Sequence, residues 1–256
     1  MLQVEHLSKS FGGIQAVRDC SFDVYEGSIT GLIGPNGAGK TTLFNLITGF
    51  LQPDSGRVFY RKKDITGLEP FEIFRQGIFR SFQITREYKE MTVLENLLLI
   101  PEKQIGEILW NAWLQRKAIQ AQEARNIEKA LEILRFLGME SKKDLPAKHL
   151  PGGEKKLLEI GRMMMVDLDL ILLDEPGAGV PPGLQQKVLN YIKTLAQEHG
   201  HTLLMVEHDM DVIMNICDRI IVTCDGTFLT EGTPDEIRSN PAVIEAYLGT
   251  PYEANE

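Results

Sequence analysis

No apolar run in the 256-residue sequence approaches the roughly 20 residues needed to cross a bilayer. The best candidate, Met163 to Leu173, is cut by Asp167 and Asp169. The opening residues, Met1-Leu2-Gln3-Val4-Glu5-His6, lack the basic and apolar regions of a signal peptide. Cysteine is scarce. Cys20, Cys217 and Cys224 are odd in number and have no metal-ligand spacing, so they read as reduced cytosolic thiols. Positive charge is in deficit: a formal net charge of −9 disfavours a nucleic-acid partner held by bulk charge. Internal repeats and low-complexity tracts are missing, which argues against a tandem of modules. What is present is a chain with 43% hydrophobic residues, enough for a full core and too many for disorder. Its length suits one large α/β domain or two small ones. The expectation is a soluble, cytoplasmic chain; if it works at a membrane, other chains supply the span.

The most informative stretch is Gly34-Pro35-Asn36-Gly37-Ala38-Gly39-Lys40-Thr41-Thr42, which fits the phosphate-loop pattern G-x-x-x-x-G-K-[ST] without a mismatch. Ser28 to Ile33 ahead of it reads as a buried strand, and Thr41 to Thr48 behind it as a helix closed by Gly49. Glycines let the backbone turn its N–H groups inward onto phosphate oxygens, and the helix N-terminus adds the positive end of its dipole. Lys40 can reach the β- and γ-phosphates, and the Thr41 hydroxyl can ligate Mg²⁺.

Around this loop the pattern alternates strands and helices. Leu2 to Leu7 alternates apolar and polar residues, as in a half-exposed strand. Phe11-Gly12-Gly13 is a turn, and Val17 to Tyr25 a second strand. Pro53 to Gly56 forms a turn before a short strand at Arg57–Tyr60, and Pro70 to Gln76 a short helix. From about Gln83 to Leu150 strand signals vanish. Thr92-Val93-Leu94-Glu95 is a capping box, and Ala112 to Leu137 carries Ile127, Leu131, Leu134 and Leu137 at helical spacing. Strand signals resume at Leu170–Leu173, Thr202–Val206, Arg219–Thr223 and Thr227–Glu231, the last two around an Asp225-Gly226 turn. A helix over 182–198 has proline in its first turn, and two short helices opened by Thr233-Pro234-Asp235-Glu236 and Asn240-Pro241 close the chain.

Asp174-Glu175 follows the Leu170–Leu173 strand. An aspartate there can hold Mg²⁺, and an adjacent carboxylate can polarise an attacking water. The order of features is then Phe11, the phosphate loop, Gln83 within Arg80-Ser81-Phe82-Gln83, a helical insertion, Leu150-Pro151-Gly152-Gly153-Glu154, the acid pair, and His208 after a buried strand. This order resembles the ATP-binding subunit of an ABC transporter over nearly the whole chain.

The resemblance implies an α/β fold, a RecA-like P-loop NTPase core with an N-terminal antiparallel β-subdomain and an inserted all-helical subdomain. It implies one ATPase domain over 1–256, with core 1–84 and 152–232, helical subdomain 85–151 and a C-terminal helical tail 233–256. The cofactors implied are ATP and Mg²⁺. Phe11, Val17, Asn36, Gly37, Ala38, Gly39, Lys40, Thr41, Thr42 and Gln83 are implied to contact nucleotide; Pro151, Gly152, Gly153 and Glu154 face the ATP of a second subunit. Glu175, His208, Lys40 and Gln83 take the catalytic roles, and Thr41, Gln83 and Asp174 the metal.

Two departures bear on partners. Pro151 stands where the family's signature has serine, and Glu154 where it has glutamine; Pro181, in Gly179-Val180-Pro181-Pro182, stands where an aspartate or asparagine usually bridges subunits. These predict pairing with a non-identical ATPase subunit; the resemblance itself implies transmembrane permease subunits and, indirectly, a substrate-binding protein, at the cytoplasmic face of the cell membrane. Thr48-Gly49-Phe50, Glu90 to Leu97, the long helix and the ending Tyr247-Leu248-Gly249 resemble the LivG-type subunits of importers of branched-chain amino acids and their relatives for neutral amino acids, urea or short amides. A lipopolysaccharide-export ATPase shares the ending but usually lacks so long an insertion. Repair proteins carry long coiled coils and translation factors two modules, and a GTPase would carry an Asn-Lys-x-Asp base reader; the sequence has none of these.

Overall fold

Alternating apolar and polar residues begin the first strand, β1 (Leu2–Phe11), which turns at Gly12-Gly13 into β2 (Ile14–Val24). Both turn glycines have positive φ, as a two-residue hairpin with right-handed twist demands. The β1–β2 register shifts three times. At the first shift, between Val4 and Leu7, His6 takes φ 50°, so Leu2, Val4 and Leu7 all reach the core. The computed structural model describes residues 1–81, 87–101, 104–107, 110, 113, 115–166, 168–178, 180, 182–198 and 200–248.

The chain continues through β3 (Ile29–Ile33), α1 (Lys40–Ile47), β4 (Ser55–Tyr60), β5 (Lys63–Asp64), α2 (Pro70–Phe74) and β6 (Ile78–Arg80). Next come α3 (Val93–Leu98), α4 (Arg116–Phe136), α5 (Gly152–Met164), β7 (Leu170–Asp174), α6 (Pro182–Gln197), β8 (Thr202–Val206), α7 (Met210–Ile216), β9 (Arg219–Cys224) and β10 (Thr227–Gly232). Two short helices, α8 (Pro234–Arg238) and α9 (Pro241–Leu248), end the described chain. Among the described residues no helix is long and apolar enough to cross a membrane.

By contacts the chain divides into two units. The first comprises Met1–Gln83, Leu168–Gly177 and Ile192–Glu256. It holds an antiparallel sheet of order β2-β1-β4-β5 and a six-stranded sheet of order β10-β9-β3-β8-β7-β6, parallel except for the β9–β10 hairpin. Strands β3, β7 and β8 are buried along their whole length, as parallel strands covered on both faces must be. One core joins Leu2, Val4 and Val24 of the antiparallel sheet to Leu43, Phe44 and Ile47 of α1 and Leu172 and Leu204 of the parallel sheet. This is the α/β core with an antiparallel β-layer that the motif order implies. Strands β5 and β6 are missed by the periodicity, because two or three residues carry no period; β5 is defined by pairing to Phe59 and Tyr60 and β6 by pairing to Leu170–Leu172.

The second unit comprises Ile84–Asp167 and Ala178–Tyr191, and its described residues form no strand. The expected capping box opens α3: Thr92 Oγ1 accepts the Glu95 N–H at 3.1 Å and Glu95 Oε2 accepts the Thr92 N–H at 2.7 Å. On α4 the buried face is Ala130, Ile133 and Leu134, continued by Leu137 beyond its end, while Ile127 is 40% exposed. The stripe is therefore rotated from the one the apolar spacing suggested. Helix α5 falls in this unit, whereas the sequence boundaries placed residues 152 onward with the core. The reason is close packing at Gly161, where an added Cβ would lie 2.9 Å from Leu137 Cδ1, 3.2 Å from Leu97 Cδ2 and 3.3 Å from Ile133 Cγ2. A Gly161→Val substitution overpacks this contact and is expected to cost about 1–3 kcal/mol of stability, read as a lower denaturant midpoint with nucleotide binding retained.

Candidate functional site

The order of the parallel strands builds the site. β8 lies between β3 and β7, and Val206 at its end pairs with Leu32 on one side and Asp174 on the other. The loops leaving the carboxyl ends of these three strands therefore meet in one crevice, the place where open parallel sheets bind ligands. Gly34 leaves β3 where an added Cβ would strike the Thr223 carbonyl oxygen at 2.1 Å. Gly39, with φ +84°, is the N-cap of α1, and a Cβ there would lie 2.4 Å from the Ala16 carbonyl oxygen. Both backbone neighbours forbid a side chain, so the tight loop requires glycine at these points.

Lys40, 6% exposed, donates from Nζ to the carbonyl oxygens of Gly34 (2.7 Å) and Pro35 (3.0 Å). Burial lowers its pKa below the ordinary lysine value, while the Glu175 charge opposes that shift. A phosphate anion would relieve the desolvation of this ammonium. The cavity over the loop, about 360 Å³, is walled by Ala16, Asn36–Thr42, Glu175, Val206 and His208. Asn36, Gly37, Ala38, Gly39, Lys40, Thr41, Thr42, Glu175 and His208 thus share one wall. Val17 does not join them. It is fully buried, because β2 turns it into the core, and Ala16 occupies the wall instead. Phe11 is 45% exposed at the hairpin tip. The phenol of Tyr247 on α9 is raised in pKa by burial, opposed by a hydrogen bond from the Gly34 N–H, so the last described helix touches the loop.

Glu175 takes φ 49°, a left-handed backbone that a glutamate seldom adopts, and its N–H is tied to the Val206 carbonyl at 2.9 Å. Its Oε1 lies 2.9 Å from His208 Nε2. A carboxylate in contact with an imidazole beside the buried Lys40 is a constellation able to receive a proton and hold an anion. The sequence left Glu207 unassigned. It is 7% exposed, its Oε1 accepts the Gly177 N–H at 2.7 Å and its Oε2 the His208 N–H at 3.3 Å. It therefore ties the segment after Glu175 to the residue after β8. Burial raises the Glu207 pKa, and Glu175 and Asp209 add to the rise. A carboxyl raised in the folded state binds protons more tightly than in the unfolded chain, so ionising it costs stability as pH climbs above the usual carboxylate range. Glu207→Gln is expected to raise the melting temperature at pH 7–8, with the gain shrinking as pH falls toward 4.

Asp174 is 4% exposed and does not line the cavity; its Oδ2 accepts from Arg80 Nη2 at 2.8 Å. Among the described residues no cluster of three or more His, Cys, Asp or Glu side chains could hold a metal alone. Mg²⁺ takes one or two protein oxygens and completes its shell with water and substrate phosphates. The Thr41 hydroxyl and the Asp174 carboxylate are hard oxygen donors suited to it. Gln83, assigned to both catalysis and metal, lies outside the described residues, as do Gly179 and Pro181.

Pro151, Gly152, Gly153 and Glu154 belong to the second unit and open α5. Pro151 is the N-cap, with φ −57° and ψ 155°, and supplies no side-chain cap, so the first N–H groups of the helix keep free donors for an anion. The Glu154 carboxylate is gripped at both oxygens by Lys142 Nζ, at 2.6 and 2.5 Å, so its charge is locally matched. Lys155 on the same helix pairs with Glu87 at 2.8 Å; burial is the largest single influence and raises the Glu87 pKa, but the Lys155 hydrogen bond, a backbone hydrogen bond and the Lys155 and Lys89 charges together outweigh it and the net shift is downward.

Comparison with known proteins agrees with this geometry. Residues 17–178 match the family model described as ABC transporter, and residues 229–253 that of the branched-chain amino acid ATP-binding cassette transporter. The probable branched-chain amino acid transport ATP-binding protein LivG of Archaeoglobus fulgidus is 43% identical over 252 residues, covering 97% of this chain and 95% of that protein. The high-affinity LivG of Escherichia coli is 39% identical over 249 residues, 97% and 98% of the two chains. A crystal structure of a nucleotide-free ATP-binding cassette from an ABC transporter superposes with a TM-score of 0.81 at 42% identity, over 98% of this chain and 99% of the other. The ADP conformation of such a cassette matches equally, with the same TM-score, identity and coverage. The chain therefore belongs to the ABC transporter family, as one of its ATP-binding and ATP-hydrolysing cassettes.

Proposed function

We propose that this chain powers an importer of branched-chain or other neutral amino acids, working at the cytoplasmic face of the membrane beside permease subunits and a second, non-identical ATPase subunit. The observation that carries the ATPase chemistry is the single cavity walled by Lys40, Glu175 and His208. Full-length likeness to relatives named for branched-chain amino acid transport, and the match of residues 229–253, support the substrate class.

In this reading Lys40 and the loop N–H groups bind the β- and γ-phosphates, with Phe11 against the adenine. Thr41 and Asp174 would hold Mg²⁺, joined by Gln83, and a cation bound by them would supply positive charge against the charge that develops on the phosphates. Glu175 takes the proton of the attacking water, and His208, hydrogen-bonded to it at 2.9 Å, orients that carboxylate and contacts the γ-phosphate. The helix N-terminus at Gly152-Gly153 serves the nucleotide of the partner ATPase. Pro151 offers no hydroxyl there, which supports an unequal pair. The segment from Gln83 to Glu90 faces the permease.

The test is co-purification and reconstitution. The chain alone is expected to hydrolyse ATP slowly and without cooperativity, and to become cooperative only with a second ATPase subunit and the permease, with leucine taken up by the resulting vesicles. Full cooperative activity of a homodimer of this chain would refute the unequal pair. ATP-driven uptake of urea or amides but not of leucine would overturn the amino-acid assignment.

A further inference from the structure

Arg80 ends β6 with its side chain only 8% exposed, and it touches three different parts of the core. Nη2 donates to Asp174 Oδ2 at 2.8 Å. Nη1 donates to Asn45 Oδ1 at 2.5 Å and to Thr48 Oγ1 at 3.4 Å. The guanidinium also stacks over Phe44 and Phe50, with centroids at 5.6 and 5.8 Å. Asn45 lies within α1 and Thr48 caps its end, so these contacts anchor Arg80 to the helix that begins with Lys40 and Thr41. One side chain therefore bolts α1, which carries Thr41, to the end of β7, which carries Asp174.

Stability alone does not explain the arrangement. Taking an Arg–Asp pair out of water costs several kcal/mol per ion, and well-packed apolar residues often serve as well. Lysine would not reproduce it either, since its single nitrogen cannot set separate donors on Asp174 and Asn45 while a planar group stacks over Phe44 and Phe50. The backbone of Asp174 is fixed as well: its N–H donates to Ser81 Oγ at 3.2 Å. With Oδ2 committed to Arg80, Oδ1 is left as the oxygen that accepts no hydrogen bond from the described residues. Outer partners of this kind orient a ligand, and their loss typically weakens metal binding about 10- to 100-fold.

We propose that Arg80 is the positioning residue of the metal site, fixing the Asp174 carboxylate relative to α1 and thereby setting how tightly the nucleotide's divalent cation is held. The proposal rests on the assignment of Asp174 as a metal ligand. It is tested on the full chain with Mn²⁺ as the probe, titrated in the presence of ADP and followed by electron paramagnetic resonance. ADP binding in EDTA is measured in parallel with a fluorescent analogue. Arg80→Met and Arg80→Lys are compared with Asp174→Asn, each checked for folding by circular dichroism.

Both Arg80 variants are expected to weaken Mn²⁺ binding at least fivefold, while ADP affinity in EDTA changes less than twofold. Asp174→Asn is expected to weaken Mn²⁺ as well. Should Arg80→Met not fold, Arg80→Lys, which keeps the charge and loses the fork, carries the test. A folded Arg80→Lys that binds Mn²⁺ like the unsubstituted chain, while Asp174→Asn does not, overturns the role of Arg80 and leaves the metal assignment standing. Equal loss of Mn²⁺ and metal-free ADP binding makes Arg80 merely structural and also overturns it. Unchanged Mn²⁺ binding in Asp174→Asn removes the assignment on which the proposal rests.

Discussion

Glu175→Gln is expected to lower the ATP turnover number by about 10²- to 10⁴-fold, the usual contribution of a positioned general base. Nucleotide binding should survive. Glutamine keeps the size of the side chain and an oxygen that can meet His208 Nε2, whose contact with Glu175 is 2.9 Å. It removes a negative charge from the wall of a cavity built for phosphates, so ATP affinity should stay level or rise severalfold. The φ of 49° at residue 175 suits glutamine no worse than glutamate, so the backbone has no reason to move. Phosphate release and equilibrium binding of a fluorescent ATP analogue, measured on the same preparation, check both halves. Turnover within threefold of the unsubstituted chain would remove Glu175 from the proton-accepting role and leave His208 to be tested in its place.

Lys40→Ala acts on the other half of the reaction. Lys40 is nearly fully buried and braces the loop through the Gly34 and Pro35 carbonyls. A hydrogen bond to a charged group is worth about 1.5–3 kcal/mol, and two phosphate oxygens are within the reach expected of this side chain. The loss of ATP affinity should therefore be roughly 100-fold or more, seen by calorimetry as a raised Kd. The depressed lysine pKa adds a second signature. Phosphate binding favours the charged ammonium, so ATP binding takes up a proton at pH values above the free enzyme's lysine pKa, and the affinity should fall as pH rises through it. That proton uptake should disappear in the alanine variant. Affinity within threefold of normal, with uptake intact, would mean that the loop N–H groups hold the phosphates without Lys40.

Much of this architecture was legible because its chemistry is local. The phosphate loop needs glycines in a fixed order, and capping boxes such as Thr92–Glu95 are written in four residues. Long buried strands announce themselves by apolar runs. What stayed hidden depends on partners distant in sequence. β6 exists as a strand through its pairing with β7, not through its three residues. Arg80 looks like any basic residue until Asp174, 94 positions away, is seen at 2.8 Å. Glu207 sits beside a recognised histidine, yet its burial and its bond to Gly177 follow from the closeness of β7 and β8. The exchange of Val17 for Ala16 on the cavity wall is a parity question, decided by which face of β2 meets the core. In α4 a stripe of leucines and isoleucines admits more than one face, and packing against Gly161 selects the one that leaves Ile127 in water.

The grip of Lys142 on Glu154 has a consequence for how such chains diverge. A carboxylate at the third residue of α5 is tolerable beside an anion only while a cation twelve positions earlier answers it. The two sites should then drift as a couple. Where glutamine occupies position 154, position 142 is released from that duty and free to wander; where glutamate appears, a lysine or arginine should arrive with it. Ancestral intermediates carrying the acid without the base would be the rare and fragile steps on that path.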